Sequence, residues 1–248
     1  MDYSKIKLVA FDLDGTLTQH KTPLSEENRA VLDQLSKRYK LIMVGAGMCQ
    51  RIFEQMNHYP IDIIGNYGMQ VAAYDRKEGS LSINENIQVP CDRASVEARV
   101  AEMREKYGYT NFAGDSVEYH SSGCITFPLL GTAAAIEDKL SFDPDRTKRR
   151  RIYEDVKHTF SEYNVVVGGS SSFDMSPVPY NKYYALDKYC REKGILHSEV
   201  AYVGDDYGMG GNDESVYLSD FPFITIDDYR TFPSVMECLL KNKEDDSI

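Results

Sequence analysis

The chain has 248 residues, 42% of them hydrophobic, enough to bury the core of one large α/β domain or of a core carrying an insert. Its formal net charge of −11 argues against non-specific binding to nucleic acid or an anionic membrane, since both need basic surface. Five cysteines without CxxC spacing and five scattered histidines argue against a disulfide framework and a zinc site, and read as reduced thiols in a cytoplasmic protein.

An apolar run at 6–11 reads as a buried strand and ends in Asp12, Leu13, Asp14, Gly15 and Thr16. Two carboxylates two residues apart repel and raise each other's pKa unless a cation lies between them. The pattern fits a site that holds a divalent metal and keeps one carboxylate free to attack. A helix is expected from about Ser25, a good N-cap, with Val31, Leu32 and Leu35 as its buried stripe. Residues 41–44 read as a strand, 48–56 as a helix and 61–64 as a strand, and 71–74 opens a hairpin turning at 76–79. Single strands alternating with helices predict a parallel sheet.

The middle of the chain differs. A helix at 92–107 precedes strands at 116–119 and 124–127, and a helix at 147–163 precedes strands at 165–167 and 172–175. Strands in pairs predict an antiparallel α+β module. Alternation resumes after Pro179, with a helix from Lys182, strands at 200–203 and 223–226, and a closing helix from Thr231. The expected fold is α/β, a Rossmann-like parallel-sheet core of residues 1–81 and 179–248 interrupted by an α+β cap of residues 82–178. The basic run Lys148, Arg149, Arg150 and Arg151 wraps around its helix and reads as solvated surface. The N-terminus lacks the pattern of a signal peptide, no run suits a membrane span, and the acidic end at 243–248 reads as a frayed tail.

Ligand sites in open α/β sheets lie beyond the carboxyl ends of the strands. Asp12 and Asp14 fall at one such end, Asp205 and Asp206 at another, and Asp213 closes the glycine-rich loop that follows; Lys182 opens a helix. A hard cation such as Mg2+ takes oxygen ligands and keeps several waters. Asp12, the Asp14 backbone carbonyl and Asp205 suit its protein share, with Asp213 as a further metal candidate and Asp206 left open.

Asp12-x-Asp14, Lys182 and Gly204-Asp205 resemble the haloacid dehalogenase (HAD) superfamily. The stretches 203–213, 168–174 and 181–186 resemble more specifically its phosphomannomutase-like branch with a C2-type cap. That resemblance implies a magnesium enzyme in which Asp12 attacks phosphorus and becomes an aspartyl phosphate, while Asp14 exchanges protons with the leaving and accepting oxygens. Lys182 and Mg2+ would hold phosphoryl charge. Thr16 is expected to brace the loop, and Ser172 and Asp174 to contact a sugar.

Two departures bear on activity. The second strand ends in Val44-Gly45-Ala46-Gly47 without the usual Ser or Thr, which fits this glycine-rich branch; Ala46, Gly47 and backbone N–H groups at the start of the next helix are the candidate phosphate donors. The segment mimics a dinucleotide GxGxxG, but its third glycine is missing and no acid ends the next strand, so a nicotinamide site is not expected. The places where the branch grips a distal phosphate with arginine hold Lys21, His120, Thr132 and Lys139. Lysine lacks the planar fork of arginine. The expectation is therefore a phosphatase acting on a small phosphorylated metabolite, a sugar phosphate, with no nucleic-acid or membrane partner and a homodimer left open. A hexose-phosphate mutase is the alternative, and a non-catalytic binding protein on the same fold is the alternative of another class.

Overall fold

The computed structural model describes residues 3–241; the acidic end at 243–248 lies outside the described residues. The chain divides into two compact units, a core of residues 3–86, 182–207 and 213–241, and a cap of residues 87–181 and 208–212.

The core opens with β1 (Leu8–Phe11), α1 (Glu26–Leu35), β2 (Lys40–Val44), α2 (Cys49–Gln55), β3 (Asp62–Gly65), β4 (Gln70–Asp75) and β5 (Ser80–Asn86). The cap supplies α3 (Arg93–Tyr107), β6 (Glu118–Tyr119), β7 (Ile125–Pro128), α4 (Ile136–Phe142), α5 (Thr147–Thr159), β8 (Tyr163–Val166) and β9 (Ser172–Pro177). The core resumes with α6 (Lys182–Lys193), β10 (Val200–Gly204), α7 (Glu214–Tyr217), β11 (Phe223–Thr225) and α8 (Phe232–Lys241).

The core sheet runs β11-β10-β1-β2-β3-β4-β5, with the first five strands parallel and the last two pairings, β3–β4 and β4–β5, antiparallel. β1 alternates between two apolar layers: Val9 and Phe11 pack on the side of α1, α2 and α8, Leu8 and Ala10 on the side of α6. Burial on both faces explains its unbroken hydrophobic run. Ser25 caps α1, its Oγ accepting from the Asn28 N–H at 3.2 Å. The chain leaves β1 toward β2 on one side and returns as β10 on the other. The carboxyl ends of these strands flank the switch point where α/β sheets bind ligands.

The cap sheet runs β6-β7-β9-β8, all antiparallel. Val96, Val100 and Met103 of α3 and Ile152, Tyr153 and Val156 of α5 pack on one face with Ile125, Phe127, Val165, Phe173 and Met175. Register aligns Glu118, Thr126, Asp174 and Val166 in one row across the four strands. Side chains alternate along a strand, so this row belongs to the opposite face.

Four sequence expectations are corrected. β5 pairs with β4 over its full length, so the core extends to Asn86 rather than 81. The helix from Thr147 ends at Thr159, because Tyr163 already pairs with Pro177 as the start of β8. α4 was not foreseen: it buries none of its residues, and Ile136 and Leu140, one turn apart and exposed, are too short an apolar stripe to mark a helix.

The last correction concerns the basic run. Arg149 is only 1% exposed. Its Nε donates to Asp143 Oδ2 at 2.8 Å, and its Nη1 donates to the carbonyls of Gly168 (2.6 Å), Gly169 (3.0 Å) and Ser172 (3.2 Å). One residue in four on a wrapped run still faces inward, and here the interior of the cap turns that face into an ion pair.

Candidate active site

The local geometry at the end of β1 is set by its neighbour. The Asp12 N–H donates to Val203 O at 2.9 Å, extending the β1–β10 pairing by one residue and bringing Asp12 beside Asp205. Gly15 adopts φ +98°, and a Cβ there would lie 2.3 Å from Asp205 Oδ2, so only glycine lets that carboxylate seat on the loop. Thr16 Oγ1 lies 3.0 Å from Asp205 Oδ1 and 3.4 Å from Asp12 Oδ2, bridging the two strand ends.

Lys182, the first residue of α6, is fully buried. Its Nζ donates to Asp12 Oδ1 at 2.5 Å and Asp213 Oδ1 at 2.8 Å. Asp213 is held from three further directions: Tyr202 OH donates to Oδ1 at 2.6 Å, the Asp206 N–H donates to Oδ2 at 3.1 Å, and its own N–H donates to Asp206 O at 3.0 Å. Asp12, Asp205 and Asp213 each present an oxygen within 4.8 Å of the others.

Three carboxylates against one ammonium leave the pocket short of positive charge. Burial, opposed by Lys182 and reinforced by Asp213 and Asp205, pushes Asp12 well above the usual carboxylate range. Burial and the Asp213 charge raise Asp205 to about 6. Burial disfavours the Lys182 ammonium, but the charges of Asp12 and Asp213 outweigh it and raise its pKa. Burial, Asp213 and Asp12 hold the Tyr202 phenol well above its ordinary value, as a donor. Such a donor set fits a hard divalent cation, whose charge removes the excess.

The Asp14 side chain lies outside this three-carboxylate group. Its Oδ1 accepts from the Lys21 N–H and from Gln55 Nε2, both at 2.7 Å, and its Oδ2 lies 3.5 Å from both terminal nitrogens of Arg51. Burial would raise its pKa, but these donors overcome it and lower it. Lys21 therefore meets Asp14 through its backbone. At the end of β2, Ala46 and Gly47 are half-exposed. The first helical N–H, that of Cys49, donates to Gln70 Oε1 at 2.7 Å and is not available to a ligand.

The remaining candidates lie in the cap. His120 Nε2 is 3.2 Å from Thr126 Oγ1, which donates to Asp174 Oδ1 at 3.1 Å. Burial raises Asp174 above the usual range against the Thr126 hydrogen bond and the nearby His120 and Arg149. Ser172 Oγ donates to Gly168 O at 3.1 Å. Lys139 Nζ donates to Thr132 O at 2.8 Å, so these two candidates engage each other.

Sequence reading missed Tyr202, Gln55 and Arg51. A tyrosine in the otherwise aliphatic buried strand Val200–Gly204 was a usable signal, because a buried phenol needs a partner. Gln55 and Arg51 stand four apart on one helix face, a pattern too common to single out.

A parallel sheet with buried acids at its central strand ends, a lysine from a following helix and an inserted α+β module define a HAD-type protein. A family model described as eukaryotic phosphomannomutase matches residues 28–227, and the chain belongs to that family. It is 26% identical over 223 residues to a phosphomannomutase of Saccharomyces cerevisiae, covering 86% of this chain and 85% of the relative. In fold it is similar to BT1666 of Bacteroides thetaiotaomicron, described among phosphatases of the HAD superfamily (TM-score 0.61, 15% identity, 96% and 97% of the two chains). It is likewise similar to a haloacid dehalogenase-like hydrolase of B. subtilis (TM-score 0.62, 15% identity, 95% and 99%). Among the described residues no helix is long and apolar enough to cross a membrane.

Proposed function

We propose that this chain transfers a phosphoryl group of a hexose phosphate through Asp12, in the manner of a sugar-phosphate mutase. The observation that carries the chemistry is the Asp12–Lys182–Asp213 arrangement beside Asp205 at the switch point of the sheet. Asp12 Oδ1 is engaged by Lys182, whereas among the described residues Oδ2 has the 3.4 Å Thr16 contact alone and is the oxygen with room to attack phosphorus. As the P–O bond forms and the bond to the leaving oxygen breaks, the Lys182 ammonium holds the charge on the phosphoryl group. Asp14 supplies a proton to the leaving oxygen and takes one from the accepting hydroxyl. The Lys21 N–H and Gln55 favour its ionised form, so the contacts present here suit the proton-accepting half. Asp12 and Asp205, with the Asp14 carbonyl, would hold Mg2+, which when bound supplies positive charge for the transferring phosphoryl oxygens.

Family membership and the phosphomannomutases among its relatives support the mutase form over the phosphatase expected from the missing arginines. The arginine-poor cap favours a second reading, phosphate release to water. His120, Thr132 and Lys139 offer no planar fork, and Lys139 already donates to the Thr132 carbonyl. Assays with Mg2+ and with EDTA separate the two. Conversion of mannose 1-phosphate to mannose 6-phosphate, dependent on a hexose bisphosphate, supports the mutase. Phosphate release from mannose 6-phosphate without isomerisation supports the hydrolase, and inactivity in both overturns the proposal.

A further inference from the structure

Asp213 lies among the three clustered carboxylates, yet its lone pairs are largely committed. Each carboxylate oxygen accepts about two hydrogen bonds in its plane. Oδ1 receives both Lys182 Nζ at 2.8 Å and Tyr202 OH at 2.6 Å. Oδ2 receives the Asp206 N–H at 3.1 Å and rests on Gly204, where an added Cβ would sit 2.6 Å from it. Asp12 and Asp205 are less encumbered: Thr16 contacts Asp12 Oδ2 and Asp205 Oδ1, and Lys182 contacts Asp12 Oδ1. Tyr202 is fully buried in the apolar layer beneath α6, so its ring cannot swing its hydroxyl away without opening the core.

We propose that Tyr202 is a positioning residue that keeps Asp213 on Lys182 and out of the metal's coordination shell, so that the cluster offers two carboxylates and prefers Mg2+ to Ca2+. The chemistry is that of ligand number. Mg2+ binds through one or two carboxylates and retains its waters, whereas Ca2+ takes six to eight oxygens and gains from a further carboxylate. Removing the phenolic donor frees an Asp213 lone pair inside a pocket already short of positive charge. The inference rests on the metal reading given above.

The test is calorimetric titration of chelator-stripped protein with Mg2+ and with Ca2+, for wild type and Tyr202→Phe, each checked for folding by circular dichroism. The expected result is a shift of about tenfold in relative affinity toward Ca2+ in Tyr202→Phe, the size typical of outer-shell changes at metal sites. Adding Asp213→Asn to that variant should return the ratio to the wild-type value. A folded Tyr202→Phe protein with an unchanged ratio overturns the inference while leaving the metal site standing. Wild-type protein that binds neither ion overturns the metal reading instead. If Tyr202→Phe does not fold, Asp213→Asn alone decides. A loss of Mg2+ affinity no larger than the roughly 10–100-fold that outer-shell partners cost supports the inference, and a larger loss makes Asp213 a ligand and refutes it.

Discussion

The two units bury cations on opposite terms. In the core, Lys182 faces three carboxylates, and burial, reinforced by the neighbouring negative charges, drives Asp12 and Asp205 above their ordinary pKa. In the cap, Arg149 is matched by one carboxylate and closed off by carbonyls. Arg104 has no carboxylate partner among the described residues. Its five N–H groups go to Ser116 Oγ and to the carbonyls of Tyr109, Leu129, Ser116 and Pro128, and its guanidinium lies 4.0 Å from the Phe112 ring centroid. Burial lowers its pKa to about 10, which leaves it charged at neutral pH. A saturated buried cation holds a fold together, while an unbalanced one marks a place where charge is meant to arrive.

The sharpest way to break this contrast is to remove charge on each side. Asp12→Asn in the core should abolish phosphoryl transfer, by roughly 10⁴-fold or more. Its urea midpoint should hold or rise, because a surplus buried charge has gone; a large fall in the midpoint would assign Asp12 to the scaffold. Unchanged cellular function in that variant would instead favour a binding protein. Arg149→Met in the cap should do the reverse, costing about 3–5 kcal/mol in urea unfolding because Asp143 is left buried and unpaired.

Arg104→Lys sharpens the comparison at smaller scale. Three ammonium donors cannot serve five acceptors spread around a planar fork, and we expect about 1–3 kcal/mol of lost stability in the same measurement. A loss below a few tenths would show that the carbonyls are equally well served without the guanidinium.

The smallest effect is the sign of pH dependence. Burial works against the Asp143 carboxylate, but the Arg149 side chain and the N–H groups of Lys148 and Arg149 lower its pKa below the ordinary 3.8. Its contribution is therefore complete above about pH 4 and disappears as pH falls through the depressed folded value. Asp205 is raised to about 6, so in EDTA its charge penalises folding above that pH, and the penalty is relieved as pH falls from about 6 toward 3.8. Thermal melts of Asp143→Asn and Asp205→Asn against wild type, from pH 3 to 8 in EDTA, should diverge from it in opposite directions. Parallel profiles would sink the distinction.

Much of the core was legible because its signals are local. Alternating strands and helices gave the parallel sheet, Ser25 gave the start of α1, and Asp12, Asp14, Lys182 and Asp205 stand at element ends where a motif can be recognised. The cap was less legible. Its α4 buries nothing and offers the exposed pair Ile136 and Leu140, and Arg149 looks like any member of a basic run until Asp143 and three carbonyls close around it.

Sequence by itself determined the family and the candidate groups for the proposed phosphoryl transfer, since residue type and spacing decide which atoms are available to attack phosphorus, carry a proton or hold a cation. Tertiary structure alone decided how those atoms are shared. It gave Lys182 to Asp12 and Asp213, committed both acceptor positions of Asp213 Oδ1 to Lys182 and Tyr202, and turned the Asp14 carboxylate to Gln55 and the Lys21 backbone. The reason is that hydrogen-bond partners are assigned by distance and direction among residues as far apart as Lys182 and Asp12 (170 positions) or Thr16 and Asp205 (189), and no pattern along the chain encodes either quantity.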